Sequence, residues 1–321
     1  MLQELSPSRQ MGSVLRIGVG VQEGSDALEA ALAATASARA DLDGAAAHLA
    51  IVVTTASPGG DLARAIRGVV GPVGITGGVT SGLLTEHGLI VEGALVILVR
   101  NGEGAVSGVA ATSGRKLSDA AQAAARLVLA GWPFRGRYPR GISLAFTAHG
   151  SGAAAGGFLT PWRELMGPKM RTVCGVMSSP IVFGASSTPA VTSVGCLEGA
   201  YPMGLGLAEA MQPEHDADVA IHGSVEAARS ALKWLEERPA RLVLALESSA
   251  RYRALGASAE REWTAIREQV RQHDGRTGAP CVGWLCDEVA AYGRGVHPVD
   301  VPGALVVAAL GDATRDHDRL G

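Results

Sequence analysis

The chain repeats one local order, and that repetition limits its fold more than any single motif does. Residues 49–55 form an apolar run, followed by a Gly-bearing loop, a helix-like stretch at 61–70, a Gly-rich segment at 72–82 and a closing strand at 93–99. Residues 241–310 follow the same order, with an apolar run at 242–246, a helix at 260–272, a Gly-bearing strand at 280–289 and a closing strand at 303–310. Both closing strands carry Gly-Ala-Leu-Val, at 93–96 and 303–306. A fainter copy occupies the middle: an apolar run at 142–148, a Gly/Ala loop at 149–157, a short helix at 162–166, a Gly-bearing strand at 173–178, and strands at 181–183 and 191–197. Internal duplication of this kind points to a cleft between similar units rather than to one motif carrying the chemistry.

Strands that alternate with helices, several of them apolar throughout, predict an α/β fold whose sheets are covered by helices. The meanders closing each unit predict mixed sheets, two of them packed in a layered α/β sandwich of two related halves. Ser25 is placed to cap a helix at 26–42. Glu-His-Gly at 86–88 marks a tight turn that would pair 77–84 with 89–99, and 105–111 reads as a further strand of that meander. Helices are expected at 117–129 and 225–237. Pro213, amid the charge cluster at 211–218, is the best boundary, which gives parts at 14–212 and 213–315 behind a disordered tail at 1–13.

Composition narrows the function. With 321 residues the chain is long enough to bury a real core, but of its 47% apolar residues many are Ala and only 4% of the chain is aromatic. Small side chains at that density predict close backbone packing. A formal charge of −3, with no run of Lys or Arg, gives no field for collecting nucleic acid. The longest apolar stretches, such as 94–99 and 304–310, are strand-sized, so no membrane insertion is expected. The start of the chain lacks an apolar secretory region, which points to a cytoplasmic protein. Cys174, Cys196, Cys281 and Cys286 have no CxxC spacing and read as free thiols, and no cofactor is indicated.

Several elements together resemble the FIST sensory family of bacterial signal-transduction proteins, which has an N-terminal and a C-terminal part. Gly-Gly-Val-Thr-Ser-Gly-Leu-Leu at 77–84 is similar to that family's Gly-Cys-Ser-Thr-Ala-Gly-Glu-Ile element, with Gly77, Thr80 and Gly82 in register. Gly78 stands at the usual Cys and Leu83 at the usual Glu, so no role passes to those positions. The stretch 242–256 resembles the family's apolar strand followed by Cys, Arg and Leu-Gly; Ser248 replaces the Cys, and Arg251, Leu255 and Gly256 match, with Glu260 or Glu262 at the acidic position downstream. Val-Gly-Trp-Leu-Cys-Asp-Glu-Val at 282–289 resembles Gly-Phe-x-Thr-x-Gly-Glu-Ile with one residue missing: Gly283 and Glu288 match, Cys286 falls at the Thr and Asp287 replaces the Gly. Val-Cys-Gly at 173–175 is similar to the family's Val-Val-Gly-Gly. The resemblance covers about 14–312 and implies a module that senses an amino acid or related metabolite, without catalysis, and passes the signal to a downstream protein of unknown identity.

The candidate ligand-binding residues are Gly77, Thr80, Ser81, Gly82, His149, Ser178, Arg251, Cys286 and Glu288. Glycines at 77–82 let a ligand approach backbone N–H groups, and the Thr80 and Ser81 hydroxyls suit a carboxylate; a bulged strand at a tight crossing explains the same glycines. Arg251, in a short loop after a strand, is suited to bidentate grip of a carboxylate, or else to pairing with Glu247 or Glu262. Glu288, inside an apolar strand, suits an ammonium group or a salt bridge to Arg294 or Arg251. Cys286 reads as a cleft-lining but inert thiol. A rival site is His149-Gly150-Ser151-Gly152 with Gly156 and Gly157, which after an apolar strand suggests a nucleotide-binding turn or a hydrolase. It lacks both an acidic ribose ligand after the next strand and the Gly-x-Ser-x-Gly spacing of a nucleophile elbow. An interaction scaffold is the third reading. His215 and His222, among Glu214, Asp216 and Asp218, fit no zinc motif and read as a solvated acidic loop.

Overall fold

A computed structural model describes residues 15–58, 61–101, 105–112, 116–131, 140–149, 155–179, 182–184, 190–210, 216–274, 278–293 and 303–312. The first unit comprises β1 (Arg16–Glu23), α1 (Ala27–Asp41), β2 (Leu49–Thr54), α2 (Leu62–Val70), β3 (Gly74–Val79), the hairpin β4 (Leu83–Thr85) and β5 (Gly88–Ile90), and β6 (Gly93–Arg100). The second runs through β7 (Ala105–Thr112), α3 (Leu117–Gly131), β8 (Arg140–Thr147), α4 (Gly156–Met166), β9 (Met170–Val176), β10 (Val182–Phe183) and β11 (Thr192–Gly199). The third holds β12 (Met203–Ala208), α5 (Ala217–Lys233), β13 (Ala240–Ser248), α6 (Ser249–Leu255), a 3-10 turn (Gly256–Ser258), α7 (Ala259–Asp274), β14 (Cys281–Cys286), β15 (Glu288–Tyr292) and β16 (Leu305–Gly311).

The fold is α/β with mixed sheets, and among the described residues the sheets number three rather than two. Their strand orders are β1-β6-β2-β3-β10, β7-β11-β8-β9-β15 and β12-β16-β13-β14-β4-β5. Each sheet therefore takes four strands of its own unit in one common order and then accepts a short strand or hairpin of another unit. The first unit's hairpin closes the third unit's sheet, so the exchange runs in a ring. Within each sheet a parallel pair joins equivalent strands, β2–β3, β8–β9 and β13–β14.

The boundary expected at 212 and 213 falls outside the described residues. The expected tail at 1–13 and His215 fall outside the described residues, and His222 lies on α5. The turn at Glu86-His87 is present, but it joins only β4 to β5. Strand β6 instead inserts between β1 and β2, and β7 pairs with β11 in a different sheet. Proximity in the chain favours hairpins, which is why the sequence predicts one continuous meander; here the closing strand crosses back to the centre of its sheet.

One central core joins the inner faces of all three sheets. Along β2, Leu49, Ile51 and Val53 point to that core, while Ala50 and Val52 face the helices. Burial on both faces is why the strand is apolar throughout. The equivalent strands repeat the pattern: Ile142, Leu144 and Phe146 of β8, and Leu242, Leu244 and Leu246 of β13, meet in the centre, where Phe146 stacks on Trp284 at 5.6 Å. Three outer clusters sit under α1 and α2, under α3 and α4, and under α5 and α7. Helix α1 is capped by Asp26, one residue beyond the expected Ser25, and the Asp26 carboxylate accepts from the Leu28 and Glu29 N–H groups. The buried face of this helix is made of small residues: Ala27, Ala30, Ala31, Ala34, Thr35 and Ala38.

Candidate functional site

The carboxyl ends of the three parallel pairs meet through hydrogen bonds between units. Register makes Thr54, Thr147 and Ser248 counterparts, opposite Val79, Val176 and Cys286. Just beyond them, Ser178 Oγ donates to Val79 O at 3.4 Å, and Ser81 Oγ lies 3.2 Å from Ser249 Oγ. Asp287 N donates to Val176 O, and His149 N to Ser179 O. His149 Nδ1 lies 2.5 Å from Asp287 Oδ2. Facing a carboxylate, which only accepts, Nδ1 is the donor of this bond. The two side chains are 61% and 32% exposed, so solvent reaches the pair. Glu288 Oε2 accepts from Ala155 N at the start of α4, where the helix dipole favours an anion.

This hub holds four of the sequence candidates: Ser81, His149, Ser178 and Glu288. It adds Asp287 and Ser249, which are absent from the candidates that sequence reasoning supplies. In the motif Asp287 appears only as a substitute for Gly, and the Ser248-Ser249 pair after the apolar run is the other visible signal. Both acquire a role only through neighbours more than a hundred residues away. Gly150, Ser151 and Gly152 of the rival loop lie outside the described residues.

The other candidates are buried in the scaffold. Gly77 has φ +147° and presses on β2 so closely that a Cβ would lie 1.7 Å from Val52 O. That is the tight-crossing explanation of this glycine. Gly82 is buried, and its carbonyl accepts from Leu285 N. Thr80 is buried too, its hydroxyl donating to Leu285 O and Gly82 O. Cys286 does not line a cleft: it is fully buried against Gly175, and burial above all holds its thiol well above the ordinary range.

Arg251, expected to grip a ligand carboxylate, is instead committed to the interior. From α6 it donates to Glu262 Oε1 through Nε at 3.0 Å and Nη2 at 2.7 Å. It also donates to Ala220 O, Glu209 O and Ser224 Oγ at 2.8–2.9 Å. Ser224 in turn donates to the same Glu262 oxygen at 2.5 Å. Pairing with Glu262 is the other reading that the sequence offers, and it occurs in the core, with both side chains 1% exposed.

Glu247 on β13 is buried beside this pair. Burial first, then the facing Glu262 carboxyl, raises its pKa well above the ordinary carboxyl value, against the pull of Arg251. With Arg251 claiming Glu262, the proton sits on Glu247. A carboxyl raised on folding stabilises the native state fully below its unfolded value, and that stability is lost as pH rises toward the folded value. Glu247→Gln is neutral at every pH. Urea unfolding at pH 5 and pH 8 is therefore expected to show wild type losing more stability across the interval than the variant; equal losses would refute the protonated Glu247.

No protein-family model and no curated protein sequence matches the chain. Among solved structures the matches are remote. The cyanuric acid hydrolase from A. caulinodans has 12% sequence identity and a TM-score of 0.42, with 94% of this chain and 99% of that one covered. PurL of T. maritima complexed with AMPPCP has 12% identity and a TM-score of 0.28, covering 94% of this chain and 73% of that one. Its complex with FGAR has 11% identity and the same TM-score of 0.28, with the same coverage of 94% and 73%. Likenesses this remote carry no argument about chemistry. Among the described residues no helix is long and apolar enough to cross a membrane.

Proposed function

We propose that the protein is a cytoplasmic small-ligand sensor of FIST type, with its site at the hub formed by Ser81, His149, Ser178, Ser249, Asp287 and Glu288. The observation that carries the reading is the His149–Asp287 pair, assembled from the second and third units and open to solvent. Ser81 of the first unit is exposed and bonded across to the third. A ligand touching all three units would favour one mutual placement of them, which is what a sensor must convert into a signal for a downstream partner. The groups suit an amino acid: Asp287 and Glu288 attract an ammonium, the serine hydroxyls donate to a carboxylate, and His149 Nδ1 holds Asp287 in place.

A thermal-shift screen against amino acids, small carboxylates and nucleotides tests this. A ligand at 100 times its Kd adds about 2.7 kcal/mol of stability. An amino-acid hit is expected, lost in Asp287→Asn and His149→Ala, with the ligand recovered unchanged. A response to nucleotides alone, or a hit that survives both substitutions, would sink the reading. The same pair favours a second reading, a hydrolytic enzyme, because a His oriented by Asp with Nε2 free is a general-base arrangement. Consumption of the hit, abolished by His149→Ala, would select that alternative.

A further inference from the structure

The seam between the first and third units differs from its two counterparts. Gly74, Arg171 and Cys281 lie near the starts of β3, β9 and β14, opposite Leu49, Ile142 and Val243. At the first seam Val109 of β7 packs onto Gly74 so tightly that a Cβ there would lie 2.7 Å from Val109 Cγ2. At the second, buried Arg171 lies against Gly293, and its guanidinium stands 5.2 Å from the Trp234 ring centroid. At the third, β1 stands where β7 stands at the first, each being the edge strand beside its unit's closing strand. Here Val19 of β1 and Cys281 do not close on each other; they line an open groove of about 880 Å³.

The walls of this groove are apolar at Val19, Val21, Ile90, Val270 and Val282. Burial pushes the Cys281 thiol up to about 12, against the pull of Arg267, so it is a neutral part of the wall. Arg267, on α7, is half-buried in the groove and has neither an ion pair nor a side-chain hydrogen bond among the described residues. The carboxylates around it are engaged or at the rim. Asp41 accepts from Val19 N, Glu268 is held by Arg271 and Gln272, Glu86 pairs with His87, and Glu23 is exposed. A guanidinium partly withdrawn from water without an anion calls for one, and its fork matches a carboxylate. The surrounding acids repel a second negative charge, which disfavours phosphate dianions and dicarboxylates.

We propose that this groove binds an amphipathic monocarboxylate, with the carboxylate on Arg267 and the hydrocarbon body along Val19, Val21, Ile90, Val270 and Val282. The site is separate from the hub and does not depend on the reading given to it. Isothermal titration calorimetry of the full chain with sodium decanoate, below its micellar range, is the test. Saturable binding is expected, weakened at least tenfold by Arg267→Gln at unchanged Tm, and weakened similarly when decanoate is replaced by acetate or decanol. Thr264→Trp, at an exposed position lining the groove, fills it and is expected to block binding. His149→Ala leaves decanoate binding unchanged. Absence of saturable heat, wild-type affinity in Arg267→Gln or Thr264→Trp, equal binding of acetate, or loss of binding in His149→Ala overturns the proposal.

Discussion

Arg251→Ala is expected to destabilise the protein by about 3–5 kcal/mol, because it strands Glu262 as an uncompensated buried charge. Glu262 Oε1 would keep only the Ser224 hydroxyl, while four carbonyl or hydroxyl oxygens around the guanidinium would each lose a donor. Against a total stability of roughly 5–15 kcal/mol for a domain, that loss removes a large share of the folded population. Lysine has three mobile donors in place of a planar fork, so Arg251→Lys is expected to recover only part of it. Urea unfolding followed by far-ultraviolet circular dichroism measures both variants. If Arg251→Ala unfolds within about 1 kcal/mol of wild type and instead loses ligand-induced stabilisation, the residue is a ligand clamp after all.

Gly20→Val and Gly206→Val are expected to prevent folding, or to cost more than about 4 kcal/mol each, by a separate cause. A Cβ at Gly20 would lie 1.9 Å from Ala34 O of α1, and one at Gly206 1.8 Å from Ala227 O of α5. Both atoms belong to helix backbone, which cannot rotate away as a side-chain tip can. The whole helix would have to lift from its strand, and the Ala faces that pack there would lose contact with it. Gly68 is the control. It lies on α2 with nothing within 4 Å of its Cβ position. Gly68→Ala is expected to raise stability by about 0.5–1 kcal/mol, since Gly is the poorer helix former. Comparable Tm values for Gly20→Val and Gly68→Ala would show that close helix–strand contact is not what these glycines provide.

The abundance of glycine and alanine is legible in the sequence as small-residue packing, because close approach demands absent side chains whatever the topology. The apolar runs at β2, β8 and β13 are equally legible, since strands covered on both faces carry no polar alternation. The candidate site residues are legible in uneven measure. Ser81, His149 and Ser178 follow strands and Glu288 begins one, and in an α/β layout the carboxyl ends of strands are where ligands reach the sheet. Arg251 and Cys286 follow or end strands just as plainly and yet are buried, Arg251 against Glu262 of helix α7 and Cys286 against Gly175 of strand β9. Nothing in the local sequence of either residue records what will lie on top of it.

Side-chain size and polarity, read along the chain, are enough to give the mixed α/β class, the repeated order of elements and the dense small-residue packing, because each of these is a local property. Long-range packing chose the rest. It returned the closing strands to the middle of their sheets, passed short strands from one unit to another, placed His149 beside Asp287 and enclosed Arg251 with Glu262. Those outcomes depend on pairings between residues far apart in the chain. Several partners offer equivalent hydrogen-bonding groups there, and the choice among them is made by how whole sheets and helices pack.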